Sequence, residues 1–140
     1  MIEKVSVKNK EEFEQILKKL WQNATLKSCK QDAKTTAQFI YKKDGKVVGF
    51  ITCSIKREYV PGCHTRKVGY LEGIYVLFEY RNQNIGSKLI NQFEIWAKKK
   101  GCKELASDLE IDNEASLQFH NKMGYEIAEK TIHLVKNINN

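Results

Sequence analysis

The sequence predicts an α/β fold in which a mixed sheet packs against helices. Three features carry that expectation. Two stretches, ending near Trp21 and Lys100, repeat apolar residues at helical spacing. Asp44-Gly45 separates two strand-like runs, and Leu71 to Leu89 passes from strand through loop into helix.

Each element has its own signal. Ile2 to Lys8 alternates apolar Val5 and Val7 with Lys4, Ser6 and Lys8, as a strand does. Asn9 followed by Glu12 forms a capping-box pattern, with the Asn oxygen free to accept an N–H of the first helical turn. Phe13, Ile16, Leu17, Leu20 and Trp21 then line one helix face. Residues 23–36 are polar and lysine-bearing and read as a loop with a short helix. Ala37 to Lys43 and Lys46 to Arg57 form a hairpin, because Asp44-Gly45 suits the two positive-φ positions of a type I′ turn. A loop with Pro61 and Gly62 leads to a strand from Val68 to Leu77.

Ile85, Leu89, Ile90, Phe93, Trp96 and Ala97 mark the second helix. Lys98 to Lys100 suit its negative end, and Gly101 can take the left-handed conformation beyond it. A strand follows over Cys102 to Leu109, then a helix over Asn113 to Met123 closed by Gly124, and a last strand over Tyr125 to Val135. One domain is expected to span residues 1–140.

Composition narrows the function classes. The chain has 140 residues, 41% hydrophobic and 29% charged, as expected for a globular domain. Apolar runs such as Val47 to Ile55 are too short to span a bilayer, and Met1 to Lys10 lacks an apolar leader segment, so a cytoplasmic chain without a membrane role is expected. Four cysteines (Cys29, Cys53, Cys63, Cys102) form no CxxC pair, and the three histidines show no ligand spacing, so no metal is expected and the thiols read as reduced. The net charge of +7 permits an anionic ligand, but no nucleic-acid signature accompanies it.

The chemistry concentrates between Leu71 and Leu89. A strand-loop-helix junction exposes free N–H groups at a positive helix end, which suits a phosphate. Asn84 and Gly86 tolerate the backbone this requires, and Arg81 adds a charge-assisted donor.

Arg81-x-x-Asn84-x-Gly86, after Ile74-Tyr75-Val76, resembles the pyrophosphate-binding motif of the GCN5-related N-acetyltransferases (GNAT), (Gln/Arg)-x-x-Gly-x-(Gly/Ala). Asn84 replaces the motif's first glycine; Asn is the next-best residue at positive φ, so the loop is expected to survive. Phe119 to Tyr125 looks like that family's last helix and its glycine-aromatic exit. The resemblance implies a mixed, mostly antiparallel sheet flanked by helices, with acetyl-CoA as cosubstrate. It places cofactor contacts at Ile74, Tyr75 and Val76, then at Arg81, Asn82, Gln83, Asn84, Ile85, Gly86 and Ser87, and at Asn113.

A narrower likeness joins Glu58 to Cys63, Tyr70 to Leu77 and Gly101 to Asp108 to the aminoglycoside 6'-N-acetyltransferases. It implies a cationic small-molecule acceptor held by Trp21, Tyr59, Glu72, Asp108 and Glu129, and a homodimer. Glu72 or Asp108 would take the proton from the acceptor amine. The first reading implied is direct acetylation of the 6'-amine of aminoglycosides; Lys27, Lys30 and Lys34 against Asp32 make another small amine or a polyamine the runner-up, and a non-catalytic CoA-binding module is the third reading.

Each of these residues also has a structural reading. Trp21 completes an apolar helix face. Tyr59 sits in a loop, and Glu72 mid-strand faces either solvent or a site. Asp108 ends a strand where Asp is a common turn residue. Glu129 alternates beside Lys130, and His120 occupies the place where relatives carry a tyrosine general acid.

Overall fold

The computed structural model describes residues 1–22 and 34–139. It forms two compact units, Met1–Asp108 and Leu109–Asn140. Lys27, Lys30 and Asp32 lie outside the described residues.

The first unit holds a five-stranded sheet in the order β1-β2-β3-β4-β5. The strands are β1 (Ile2–Lys4), β2 (Thr36–Lys43), β3 (Lys46–Lys56), β4 (Val68–Val76) and β5 (Glu104–Ser107). The first three pairings are antiparallel and only β4–β5 is parallel, as the expected mostly antiparallel sheet requires. Parallel neighbours need a long crossover, and α2 (Ile85–Lys99) supplies it.

The helix α1 (Lys10–Leu20) and α2 take opposite faces of the sheet. Phe13, Ile16 and Leu17 of α1 cluster with Ile40, Val47 and Phe50. Next along β3, Gly49 presents its Cα to Ile85 and Leu89 of α2. Successive strand residues point to opposite faces, so Phe50 and Gly49 separate the two helix layers.

Local signals largely set these elements. Asp44 and Gly45 have φ of 55° and 73°, and Lys43 pairs with Lys46, giving the expected two-residue hairpin loop. Helix α2 ends in a Schellman motif: the Gly101 N–H donates to the Lys98 carbonyl and Cys102 to Ala97, both at 3.0 Å, with Gly101 at φ +89°.

Two expectations are corrected. Asn9 does precede α1, but its side chain does not cap it. Its Oδ1 accepts from the Ser6 N–H at 2.8 Å and its Nδ2 donates to the Lys4 carbonyl at 3.1 Å. The buried amide therefore satisfies the backbone of the turn that ends β1 early, which is why that strand stops at Lys4.

The second correction concerns residues 125–139, which form no strand. In the second unit α3 (Glu114–Lys122) is the one regular element among the described residues. Alternation alone does not make a strand without a ladder partner, because its backbone groups need a neighbour to bond.

Gly69 marks the closest approach of α2 to β4. A Cβ there would lie 2.8 Å from the Ala97 Cβ and 2.9 Å from Leu105 Cδ2. Gly69→Ala is expected to destabilise the fold by about 1–3 kcal/mol through overpacking, read as a lower urea midpoint. An unchanged midpoint would show that the helix shifts without penalty.

Candidate active site

One irregularity in the sheet builds the site. Along β3–β4, Thr52 pairs with Gly73 but Cys53 pairs with Leu71, so Glu72 is an extra residue in a β-bulge. The bulge changes the parity of the faces. Tyr75 stacks on Phe50 with ring centroids 6.3 Å apart, on the α1 side. Gly73 also faces that side, since a Cβ there would sit 2.2 Å from Trp21 Cη2. Below the bulge it is the even-numbered Tyr70 and Glu72 that share one face, on which Ser54 donates to Glu72 Oε2 at 2.8 Å.

Asp108 joins this group. It follows Ser107, the partner of Leu71 in the parallel pairing, and its carboxylate accepts a hydrogen bond from the Tyr70 hydroxyl. The structure thus gathers Trp21, Glu72 and Asp108 around Gly73 and Tyr70. Both carboxylates are exposed, each with one oxygen engaged by a hydroxyl and one open. Trp21 is 38% exposed, packed on Gly73 and 6.4 Å from the Phe50 ring, so it is at once core edge and rim. Tyr59 is exposed in the loop after β3.

Glu104 secures that loop. Its Oε1 accepts from the Thr65 hydroxyl at 2.7 Å and from the N–H groups of Thr65 and His64 at 2.6 and 2.7 Å. The Thr65 hydroxyl first, then these N–H groups, hold its carboxyl below the ordinary value.

Past Leu71, β4 has no β5 partner. Gly73 to Val76 pair with β3 on one side, and among the described residues no strand covers their other edge. β4 then leads through a short 3₁₀ turn (Phe78–Tyr80) to α2. Asn82 and Asn84 both sit at φ 63°, so asparagine does take the left-handed conformation expected where Asn84 stands for glycine. The first-turn N–H groups of Ile85, Gly86 and Ser87 have no intrahelical acceptor, no acidic residue lies in that turn, and the Asn84 side chain does not cap it. Arg81 folds over the end of β4: its Nε donates to the Val76 carbonyl at 2.8 Å and its guanidinium lies 5.3 Å from the Tyr75 ring. Gln83 instead accepts from Lys43 Nζ at 2.5 Å.

The second unit carries the remaining predicted residues. Asn113 caps α3 by accepting from the Ser116 N–H at 3.1 Å, which leaves its Nδ2 donors outside the cap. His120 is buried, with Nδ1 2.7 Å from the Ser116 carbonyl and its ring edge-on to Tyr125 at 5.7 Å. A carbonyl only accepts, so Nδ1 carries a proton and the ring is held as a packing element. Glu129 is exposed and accepts from the Thr131 hydroxyl at 3.1 Å.

Among the described residues the cysteines take no part in this arrangement. Burial pushes the Cys53, Cys63 and Cys102 thiols above their ordinary value, and Cys53 donates to the Ala37 carbonyl at 3.4 Å. Among the described residues no group of three His, Cys, Asp or Glu could hold a metal ion.

Residues 4–125 match the model of the acetyltransferase (GNAT) family. The chain belongs to the GNAT acetyltransferase family. Aminoglycoside N(6')-acetyltransferase type 1 of Acinetobacter baumannii is 41% identical over 98 residues, covering 70% of this chain and 67% of that protein. The Acinetobacter haemolyticus protein of the same name is 39% identical over 105 residues, covering 75% and 72%. Among solved structures, AAC(6')-Iy in complex with the bisubstrate analog CoA-S-monomethyl-acetylneamine superposes with a TM-score of 0.90 at 31% identity, covering 99% of this chain and 98% of that one. Apo AAC(6')-IG from Acinetobacter haemolyticus gives 0.87 at 32% identity, covering 99% of both.

Three residues of this GNAT site escape sequence reasoning: Gly73, Ser54 and Tyr70. Tyr70 and Gly73 lie in the stretch that carries the narrower resemblance, but no role is legible there for them or for Ser54, since their importance depends on the bulge and the strand register. Glu104 was equally silent, and it makes a pH prediction. A carboxyl depressed in the folded state adds stability above its unfolded value, and that stability is lost as pH falls through the folded one. The difference in Tm between wild type and Glu104→Gln is therefore expected to be largest at neutral pH and to vanish in acid. A gap independent of pH would contradict the hydrogen-bonded carboxylate.

Proposed function

We propose that the chain, as one acetyltransferase domain over residues 1–140, transfers the acetyl group of acetyl-CoA directly to the 6'-amine of aminoglycosides. The observation that carries this reading is the pairing of an exposed two-carboxylate face, Glu72 and Asp108, with an acid-free helix N-terminus at Asn84. Relatives named for this activity share 39–41% identity, and one superposed structure holds a bisubstrate analog.

The chain's groups fit both substrates. The N–H groups of Ile85, Gly86 and Ser87, with Arg81 and the left-handed backbone of Asn82 to Asn84, would hold the pyrophosphate. The open edge of Ile74, Tyr75 and Val76 offers backbone groups to the pantetheine amides. Acetyl-CoA, when bound, supplies the activated acyl carbon. Glu72 and Asp108 draw in the acceptor ammonium, and one of them takes its proton, directly or through a water, so that the amine can attack. N–H groups on the β4 edge meet the oxygen on which charge develops; the C–S bond then breaks, and CoA leaves as a thiol carrying the remaining proton of the amine. Trp21 and Tyr59 flank the acceptor. Burial, which disfavours the thiolates of Cys53, Cys63 and Cys102, argues against a covalent route through these cysteines.

A second reading, an acceptor amine other than an aminoglycoside, draws on Lys56, whose Nζ lies 3.7 Å from the centroid of the Tyr70 ring. That positive charge beside the carboxylates works against the several ammonium groups that a compact aminoglycoside brings to one site at once, and less against a slender amine that enters by one end. The work is assigned to the cytoplasm, where acetyl-CoA is supplied.

We further propose a homodimer. Ile132, Leu134, Val135 and Ile138 are more than four-fifths exposed in a single copy, an apolar run that a second copy would cover. Sedimentation equilibrium is expected to give twice the 16.3 kDa chain mass; the mass of one chain would refute the dimer.

The acceptor experiment decides between the readings. Mass spectrometry with acetyl-CoA is expected to show acetylation of a 6'-amino aminoglycoside and not of its 6'-hydroxy analogue. Glu72→Gln and Asp108→Asn are each expected to lower kcat/KM at least tenfold, about 1.4 kcal/mol of transition-state stabilisation. Reaction of polyamines alone would favour the second reading.

A further inference from the structure

We propose that Tyr70 is a positioning residue of the acceptor site: its hydroxyl donates to Asp108 and determines which carboxylate oxygen meets the acceptor amine. This rests on the acceptor site proposed above and adds a residue to it.

The placement of Tyr70 differs from that of the residue it holds. Its ring is buried against Val60 and Val68, with Cys63 and Ala106 beside it, so the hydroxyl has little freedom. Asp108 by contrast is exposed just beyond the end of β5. Left alone, an exposed Asp side chain samples several rotamers, and binding a cation must then offset the entropy of choosing one. The Tyr70 hydroxyl engages Oδ2 and leaves Oδ1 open. Ser54 holds Glu72 by Oε2 in the same way across β3 and β4, so both carboxylates present one open oxygen on one face.

Tyr70 is suited to donate. Burial, and then the hydrogen bond to Asp108, push its phenol well above the ordinary value, so the proton stays on the tyrosine oxygen at neutral pH. Lys56 lies over the ring face, where a cation withdraws electron density from the phenol and strengthens its O–H as a donor. The geometry is that of a preorganised anion whose orientation is set before the acceptor arrives.

The test compares wild type, Tyr70→Phe, Asp108→Ala and the double variant. Steady-state kinetics with a 6'-amino aminoglycoside are read beside calorimetric binding of the same compound, so that a catalytically dead variant still reports. Tyr70→Phe keeps the ring in its pocket and removes one oxygen. It is expected to raise KM and Kd for the aminoglycoside about tenfold and to leave KM for acetyl-CoA unchanged. In the Asp108→Ala background it is expected to add nothing, because the group it orients is gone. Wild-type values for Tyr70→Phe, additive losses in the double variant, or a parallel loss in acetyl-CoA affinity would each overturn the assignment while leaving the functional reading intact. A wild-type protein that neither binds nor acetylates aminoglycosides would overturn both.

Discussion

The extra residue at Glu72 is the constraint on which the site depends. Without the bulge, strict alternation along β4 would place Tyr75 and Gly73 on one face and Tyr70 and Glu72 on the other. The carboxylate would then lie under α2, whose Ala97 and Phe93 crowd Gly69. A charge there would be buried without a partner, at a cost of several kcal/mol. The bulge instead brings Glu72 to the side of Trp21, within reach of Ser54 and open to solvent. It also lets β4 diverge from β5 beyond Leu71, so one irregularity orients the acceptor carboxylate and frees the strand edge.

In the proposed function β4 is the axis of the reaction. Glu72 and Val76 are four residues apart, about 13 Å along an extended strand. At one end lie two carboxylates with open oxygens, and at the other the N–H groups at the start of α2. On the proposed function opposite charges would thereby be kept apart: the cationic amine would approach acidic groups, while the phosphates would approach a helix end with no acid in its first turn. In the reading proposed above, the scissile bond would lie between the two, beside the unpaired edge of Ile74 to Val76.

Supporting contacts act at longer range. Glu104 ties His64 and Thr65 to β5, and so anchors the loop that carries Tyr59. Gly73 matters for its missing side chain, since any Cβ would displace Trp21. Within the second unit, His120 packs α3 against Tyr125 through its ring and its bond to Ser116, which explains a buried histidine without assigning it proton transfer.

The amino-acid sequence by itself determined what depends on local stereochemistry. Asp44-Gly45 specified the hairpin, Gly101 the Schellman end of α2, and Asn84 the left-handed entry to the same helix, because each conformation is selected by residues within a few positions. Helical spacing likewise identified Phe13, Ile16 and Leu17, and Leu89, Ile90 and Phe93, as buried faces. Tertiary structure decided what depends on register and on a partner strand. It turned Asn9 from a cap into a staple for the β1 turn, and it left residues 125–139 without a ladder. The same long-range pairing brought Tyr70 and Ser54 to the two carboxylates. A side chain's face in a sheet follows from counting along paired strands, and one bulged residue reverses the count. That reversal is settled by packing between segments distant in sequence, where no local pattern reaches.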